Sequence, residues 1–579
     1  MKPDLEAKPF CLDKSQVEWV ESVFASMTLE EKVGQIFCPS LSSFGKKSIA
    51  KLTKEIKAGA VMIRPFPVKG LQESIKALQE SSRIPMLISA NLESGGNGAF
   101  NEGTQLSMPM GCAATGDMEY GYRLGKVACR EAAAVGVNWS YAPIVDIDMN
   151  YRNPIVNVRS FGADAETVIK MSQGFIKAAG EEGVAPTIKH FPGDGTDERD
   201  QHLLVSVNTL TSDQWFSSYG HVYKTLIDDG AKSVMAAHIA QPEVARAIDP
   251  SISFEESLLP ASLSKTLTTG LLREKLGFNG LVVTDSTLMT GFMQPMPRRK
   301  AVPLCIECGC DFLLFNRSVE EDWKYMLDGI KDGILSKERL DEAVLRVLAT
   351  KASLGLNAKK TLPDPIQIAG SPETKKWVLD CADKCVTLVK DNQKLLPLSP
   401  SKHKRVYLNV IENYVEDNSA LGKDLKARLE KEGFAVTLRK RKLDINPNLL
   451  MKGIVTPALI KVMKEVMANT DSFVSQYDMC MIALNMETVS NATVVRVNWK
   501  VMFGLGNDIP WYAGEMPLVV VSLANPYHLL DIPMADVYVN SYTATKEVLD
   551  ATFDKLMGRS EFKGISPVDP FCGHEDCKL

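Results

Sequence analysis

The chain has 579 residues, 45% hydrophobic and 24% charged, with a formal net charge of -5. A chain of this length exceeds what one hydrophobic core usually supports, so two or three domains are expected. The acidic balance provides no basic surface for nucleic acid. No apolar run approaches the roughly 20 residues that cross a membrane, and the start MKPDLEAKPF lacks the apolar core of a signal peptide. A cytoplasmic protein with neither nucleic-acid nor membrane partners is therefore expected.

Eight short apolar runs alternate with helical patterns in the first part of the chain, and a capping box (Thr28 with Glu31) precedes the first helix. Apolar strands that alternate with amphipathic helices are typical of parallel βα units, and eight units predict a (β/α)8 barrel of the TIM type over residues 1–358. The runs are VGQIFCPS (33–40), AVMIRPF (60–66), IPMLISAN (84–91), VNWSYAPIVDI (137–147), VAPTIKHF (184–191), SVMAAHI (233–239), LVVTDS (281–286) and DFLLFN (311–316).

A proline-rich linker is predicted at 359–372, after two further helical segments. Beyond it the alternation of strands and helices resumes. The second domain, 373–579, is predicted to be a smaller α/β sandwich with a mainly parallel sheet. Its strand-like runs are RVYLNVI, FAVTLR, YDMCMIALN, PLVVVSLAN and DVYVNSY.

The twelve cysteines are scattered without a disulfide pattern, which favours reduced thiols. Two clusters, CIECGC (305–310) and FCGHEDC (571–577), lack the two spaced ligand pairs of a zinc site. Buried or bystander thiols are predicted for both, and no metal or organic cofactor is implied.

Polar residues follow several of the eight runs at their carboxyl ends. Those ends meet at one mouth of a barrel, where active sites are built, so their recurrence indicates an enzyme. The residues are Asn91, Glu93, Asp146, Asp148, Arg159, Lys189, His190, His238 and Asp285.

Asp285 follows a strand rich in β-branched residues, in VVTDSTLM. A carboxylate there can act as a nucleophile, a base or a metal ligand. The alternative is a structural carboxylate that accepts hydrogen bonds from loop N–H groups.

The stretch KHFPGDGTDERDQH (189–202) begins with a Lys–His pair and ends with His202, and the composition of GDGTDERD (193–200) predicts a mobile, exposed loop. Asp200 and His202 are spaced D-x-H. A carboxylate beside an imidazole favours the protonated ring, which can give a proton to a leaving oxygen. The alternative is an exposed histidine without a role. Lys189 and His190 are adjacent, so either the strand end bends or only one of them faces the mouth.

These motifs, taken in order, resemble glycoside hydrolase family 3 over nearly the whole chain. The similarity is carried by TLEEKVGQ, NPIVNVRSFGADAETV, KHFPGDG, VMAAHI, PASLSKTLTTGLLREKLGFNGLVVTDSTLM, ERLDEAVLRVLATKASLGL, VTLVKDNQKLLPL, VVVSLANPY and SPVD.

The resemblance implies that Asp285 is the nucleophile. It further implies that Asp200 and His202 form the acid/base pair of the β-N-acetylglucosaminidase branch, with His202 on a closing loop. The substrate-binding residues expected at the mouth are Asn91, Glu93, Asp146, Arg159, Lys189, His190, His238 and Met289. The chain departs from the branch pattern at Asn91, where an aspartate is usual, at GNGAFNEG, which lacks an arginine, and at Asp194, which replaces a histidine. The first two fall on expected contacts to sugar hydroxyls.

The expected function is a retaining exo-β-N-acetylhexosaminidase that works by double displacement on a small amino-sugar glycoside. A phosphorylase, in which phosphate replaces water, stays open, as does a β-glucosidase or β-xylosidase. The alternative outside the enzymes is a non-catalytic carbohydrate-binding protein. The second domain could be a packing partner, a homodimer surface or a wall of the site.

Overall fold

The computed structural model describes residues 2–358, 361–413, 419–439, 452–457, 460, 469–488, 490–497, 499, 501–502, 505–506 and 509–579. The chain forms two compact units. The first contains Met1–Ala113, Asp117–Cys381 and Val489–Val494, and the second contains Ala114–Gly116, Ala382–Thr488 and Val495–Leu579. The domain limits 1–358, 359–372 and 373–579 stay a prediction.

The strands of the first unit are short and nearly all buried. In chain order they are β1 (Phe37–Cys38), β2 (Ser40–Leu41), β3 (Ala60–Ile63), β4 (Leu87–Ala90), β5 (Trp139–Ser140), β6 (Ala185–Phe191), β7 (Ser206–Val207), β8 (Ser233–Ala236), β9 (Ile239–Ala240), β10 (Leu281–Thr284) and β11 (Leu313–Leu314).

Parallel pairing closes these strands into a ring. One sheet runs in the order β10-β8-β6-β5-β4-β3-β2, and β1 pairs with β11. A parallel bridge between Val283 and Phe312 joins the two. Because β1 and β2 are halves of one strand interrupted at Pro39, the ring has eight positions, and each of the eight predicted runs supplies one. The predicted (β/α)8 barrel is confirmed, while the small β7–β9 pair was not predicted.

The barrel strands are buried on both faces, which explains their continuous apolar sequence. On β3, Ala60 and Met62 belong to the cluster around Trp139 and Phe312. Val61 and Ile63 alternate with them and belong to the larger cluster shared with the surrounding helices. The buried Trp139 donates its Nε1–H to Thr187 Oγ1 at 2.9 Å, so its polar atom is satisfied.

Helices surround this ring. They are α1 (Lys14–Ala25), α2 (Leu29–Gln35), α3 (Lys46–Ala50), α4 (Leu71–Ser81), α5 (Pro109–Ala114), α6 (Glu119–Ala134), α7 (Ala165–Glu181), α8 (Ser212–Ser217), α9 (Tyr219–Asp228), α10 (Pro242–Ile248), α11 (Phe254–Ser257), α12 (Thr290–Met293), α13 (Arg298–Glu307), α14 (Val319–Lys331), α15 (Lys337–Ser353), α16 (Pro365–Ile368) and α17 (Pro372–Cys385). Two segments are π-helical, Lys51–Ile56 and Thr266–Lys275.

The second unit is built on a six-stranded sheet in the order β12-β19-β18-β15-β13-β14, parallel except where β12 pairs with β19. The strands are β12 (Thr387–Asp391), β13 (Arg405–Glu412), β14 (Ala435–Leu438), β15 (Met479–Asn485), β16 (Val501–Met502), β17 (Leu505–Gly506), β18 (Leu518–Ser522) and β19 (Val537–Asn540). The helices described beyond α17 are α18 (Ala420–Lys431), α19 (Thr470–Val474) and α20 (Lys546–Leu556).

Within the described ranges, no helix combines the length and the apolar character that a membrane span requires.

Candidate active site

The predicted mouth residues form two ionic clusters around the carboxyl ends of β4, β5 and β6. In the first, Glu93 accepts hydrogen bonds from Arg159 through both carboxylate oxygens, each at 2.9 Å. Lys189 Nζ donates to Glu93 Oε1 at 2.7 Å. Burial acts to raise the pKa of Glu93, but the two cations outweigh it and hold that pKa well below its usual value. Glu93 thus fixes the positions of two cationic donors.

In the second cluster, Asp146 organises the end of β6. Its Oδ1 accepts the backbone N–H of His190 at 3.0 Å and of Asp194 at 2.8 Å. Its Oδ2 lies 2.6 Å from His190 Nδ1. A carboxylate only accepts, so Nδ1 carries the proton and Nε2 is the ring nitrogen left for a ligand.

The two adjacent residues Lys189 and His190 both contact these mouth carboxylates. The pairing of β6 with β8 is irregular between Ile188 and Phe191. Of the two alternatives that the sequence left open, the bent strand end is the one observed.

Asp285 lies directly after β10 and is anchored through its backbone. Its N–H donates to the Ala236 carbonyl at 2.9 Å, and its Oδ1 accepts the Ser286 N–H at 2.6 Å. Burial acts to raise the pKa of Asp285, but His190, His238 and His202 outweigh it, so the pKa is lowered. Its Oδ2 accepts no hydrogen bond within the described ranges. A carboxylate that stays ionised, with one oxygen uncommitted, can act as a nucleophile.

Asp200 and His202 are joined by hydrogen bonds. His202 donates both its backbone N–H, at 2.8 Å, and its Nδ1–H, at 2.7 Å, to Asp200 Oδ1. Nε2 is then the ring nitrogen that can exchange a proton with a substrate. The His202 side chain is 24% exposed, whereas Asp200 and Gln201 are 3% and 1% exposed. The predicted exposure of GDGTDERD is therefore wrong at Asp194 and Asp200, because both side chains are buried and held by hydrogen bonds.

His238 is fully buried, and both of its ring nitrogens are used. Nε2 lies 2.9 Å from the Ser286 carbonyl, which only accepts, so Nε2 carries the proton and Nδ1 accepts from Ser262 Oγ at 2.9 Å. Burial lowers the pKa of His238 to about 4, so the ring is neutral near pH 7. The residue supports the loop of Asp285 and offers no ring nitrogen to a sugar.

The two remaining predicted contacts differ in exposure. Asn91 is exposed at the end of β4. Met289 is 5% exposed, and its backbone N–H donates to the Ser286 carbonyl at 3.0 Å. Asn91 is therefore accessible from solvent, whereas Met289 is almost completely covered.

Three residues that the sequence analysis did not assign to the site complete it. Asp194 is buried beside Asp146, and burial together with that second carboxylate raises the pKa of Asp194 to about 6. Gln201 lies between the paired Asp200 and His202. Asn491 is 291 positions from Asp200 along the chain, and it donates its backbone N–H to Asp200 Oδ2 at 2.7 Å. Asp194 was visible only as a departure from a motif, and the other two carry no sequence signal.

The cysteine clusters remain thiols. Cys305, Cys308 and Cys310 are buried, and Cys577 is buried near the chain end. Cys305 donates to the Val302 carbonyl at 3.1 Å. Across the part of the chain that the structure describes, no three His, Cys, Asp or Glu side chains are grouped as metal ligands.

A (β/α)8 barrel with a buried carboxylate and an Asp–His pair near each other at its mouth defines the chain as a barrel enzyme. Residues 28–350 match the family description "Glycosyl hydrolase family 3 N terminal domain". The chain belongs to glycoside hydrolase family 3 and is an enzyme of that family.

Several relatives cover most or all of the chain. A β-N-acetylglucosaminidase/β-glucosidase of Cellulomonas fimi is 39% identical over 100% of both sequences. β-Hexosaminidase A of Pseudoalteromonas piscicida is 28% identical over 56% of each.

Two solved structures are similar over nearly the full chain. A "β-glucoside phosphorylase BglX" superimposes with a TM-score of 0.90 at 41% identity and covers 99% of both chains. A family 3 β-N-acetylglucosaminidase from Paenibacillus sp. str. FPU-7 has a TM-score of 0.75 at 23% identity, covers 94% of this chain and 99% of its own, and supports the fold alone.

Proposed function

We propose that the protein releases a terminal β-linked sugar, of the N-acetylglucosamine or glucose type, by double displacement with retention of configuration. Asp285 attacks the anomeric carbon and forms a glycosyl ester, while the bond to the leaving oxygen breaks. His202 gives its Nε2 proton to that oxygen. An acceptor then attacks the ester with neutral His202 as base, which frees Asp285.

The observation that carries this proposal is the hydrogen bond of 2.7 Å from His202 Nδ1 to Asp200 Oδ1. It fixes the ring tautomer, stabilises the charged imidazole that donates the proton, and leaves Nε2 for the substrate. The Thr290 N–H donates to the His202 carbonyl at 3.0 Å, so His202 lies beside the segment that follows Asp285. Glu93, Arg159, Lys189 and His190 supply the charged and hydrogen-bonding groups that suit sugar hydroxyls.

The names of the relatives support the sugar class. The Cellulomonas fimi relative is named for both N-acetylglucosaminides and glucosides. Exo-β-N-acetylhexosaminidase activity is the first expectation, and β-glucosidase activity on the same site is consistent with that double name.

Phosphorolysis is the second candidate, because the structure with 41% identity over 99% of both chains is titled a β-glucoside phosphorylase. An acid/base that is neutral in the second step does not repel phosphate as a carboxylate would. One phosphate oxygen would then attack the anomeric carbon of the ester, and the products would be a sugar 1-phosphate and free Asp285.

One set of assays tests the proposal. Aryl β-N-acetylglucosaminide and aryl β-glucoside are each incubated with and without inorganic phosphate, using wild type, His202→Ala and Asp285→Ala. Turnover that is lost in Asp285→Ala and lowered in His202→Ala supports the proposal, and sugar 1-phosphate among the products selects phosphorolysis over hydrolysis. Turnover that survives in Asp285→Ala would overturn the assigned nucleophile. Binding without turnover in the wild type would favour the non-catalytic reading.

A further inference from the structure

The loop with Asp200 and His202 is fastened to the barrel by the residue between them. The Gln201 side chain is buried, with 1% exposure. Its Oε1 accepts the backbone N–H of His238 at 2.9 Å, and its Nε2 donates to Asp194 Oδ2 at 3.4 Å. Gln201 therefore inserts inward while its two neighbours form the acid/base pair.

This contact links the loop to the nucleophile. The His238 ring donates to the Ser286 carbonyl at 2.9 Å, and the Ser286 N–H donates to Asp285 Oδ1 at 2.6 Å. The Thr290 N–H also donates to the His202 carbonyl at 3.0 Å. The acid/base loop and the loop after β10 are thus both hydrogen-bonded to His238. They are also joined to each other through Thr290 and His202.

A second contact comes from a distant part of the chain that belongs to the barrel unit. Asn491 has φ +67° and donates its N–H to Asp200 Oδ2 at 2.7 Å. Asparagine is among the few non-glycine residues that adopt this left-handed conformation readily. The Asp200 carboxylate then receives three hydrogen bonds, two from His202 and one from Asn491, so its direction is fixed.

We infer that Gln201 and Asn491 are positioning residues that hold His202 ready for proton donation, so that the acid/base group is assembled before a substrate binds. The inference rests on the proposed function and deepens it. Its physical basis is the steep dependence of catalysis on geometry, since a displacement of about 1 Å costs about a hundredfold in rate.

The test separates proton donation from other effects by the choice of leaving group. A dinitrophenyl β-glycoside has a leaving group that departs without a proton, whereas an alkyl β-glycoside of the same sugar needs the general acid. Gln201→Ala is expected to lower kcat/KM for the alkyl glycoside by about a hundredfold and to change the dinitrophenyl value much less. His202→Ala sets the reference for complete loss of the acid.

Gln241→Ala is the matched control. Gln241 is also fully buried in the barrel unit, where it caps α10 by accepting the Val244 N–H at 3.0 Å. Its loss is expected to lower the melting temperature without any dependence on the leaving group.

Asn491 is tested through its backbone conformation, because its N–H cannot be removed by changing the side chain. Asn491→Gly keeps the positive φ accessible, whereas Asn491→Val disfavours it. The valine variant is expected to reproduce the selective loss on the alkyl glycoside, and the glycine variant to restore most of it.

The inference fails if Gln201→Ala lowers both substrates equally, or if Asn491→Val and Asn491→Gly behave alike. That failure differs from failure of the proposed function, in which His202→Ala itself would show no dependence on the leaving group. If Gln201→Ala does not fold, the two Asn491 variants decide the matter.

Discussion

Glu93 is the residue that fixes the side chains of Arg159 and Lys189. It is the partner of Arg159 at 2.9 Å and of Lys189 at 2.7 Å, and the Lys189 side chain is only 3% exposed. Removing one partner of a buried ion pair leaves a charge without compensation, which costs far more than losing a surface pair.

We therefore expect Glu93→Gln to lower the free energy of unfolding by about 3 kcal/mol and to raise KM, because both donors lose their fixed direction. Glu243→Gln is the control, since Glu243 pairs with Arg246 at the surface and should contribute at most about 1 kcal/mol. Denaturant titrations of the two variants measure the difference. Equal losses would contradict the role assigned to the Glu93 cluster.

Among single residues, the sequence identifies those whose charged or polar side chain directly follows a predicted strand. Glu93, Asp146 and Asp285 could be predicted because a carboxylate after an apolar run is conspicuous. Gln201 and Asn491 could not, since one acts through a buried amide and the other through a backbone N–H. His238 was expected to contact a sugar, and its burial became visible only with the packing around Ser286.

Among the elements, helix α2 begins at a capping box that the sequence predicts. Thr28 and Glu31 form the predicted capping box, in which Thr28 Oγ1 accepts the Glu31 N–H at 3.3 Å and Glu31 Oε2 accepts the Thr28 N–H at 3.0 Å. The predicted capping box is confirmed, but it begins the second helix of the chain, because α1 (Lys14–Ala25) precedes it.

Thr28→Ala is expected to destabilise the protein by about 1 kcal/mol, because one helix N–H loses its acceptor. Thr28→Ser retains the hydroxyl and should recover most of that loss. Chemical denaturation of the three proteins provides the comparison. If serine and alanine were equally destabilising, the methyl packing of Thr28 would be responsible rather than the cap.

For the barrel strands, the hydrophobic pattern predicts the position of each strand but not its length. All eight runs contain a strand, since burial on both faces requires apolar residues throughout. The pattern overestimates length, however: VNWSYAPIVDI forms only the two residues Trp139–Ser140 as β5. The rest of that run carries Asp146, whose buried carboxylate accepts the N–H of His190 in β6 and of Asp194 in the loop that follows.

For the whole molecule, residues that are distant in the sequence can belong to the same compact unit, and no local sequence pattern predicts this. A linker at 359–372 was predicted to end the barrel domain, yet Val489–Val494 groups with the barrel unit. The segment includes Asn491, so the surroundings of the Asp200–His202 pair depend on residues far beyond the predicted linker. The position of this segment in the barrel unit is determined by tertiary contacts, which cannot be predicted from composition or hydrophobic periodicity.

Closure of the barrel brings together the first and last parts of its sequence, and a buried lysine lies where they meet. Lys351 of α15 donates to Gln35 Oε1 of α2 at 2.6 Å, across 316 positions of sequence. Lys351 is fully buried, and burial lowers its pKa from 10.5 to about 7. Between these two pH values the unfolded chain binds a proton that the folded chain does not. The folded state therefore loses stability as pH falls from about 10 to 7.

Lys351→Met removes this titration. The free energy of unfolding of the variant, relative to that of the wild type, should be most favourable at pH 7 and below. This relative value should decrease by a few kcal/mol as the pH approaches 10. Loss of the bond to Gln35 adds a cost that does not vary with pH, so only the change in the difference is informative. Lys54→Met, at an exposed position, controls for the removal of a positive charge. Unfolding free energies of the three proteins between pH 7 and 10 measure the effect. A difference between Lys351→Met and wild type that stays constant over this range would mean that Lys351 is buried with its proton, held by Gln35.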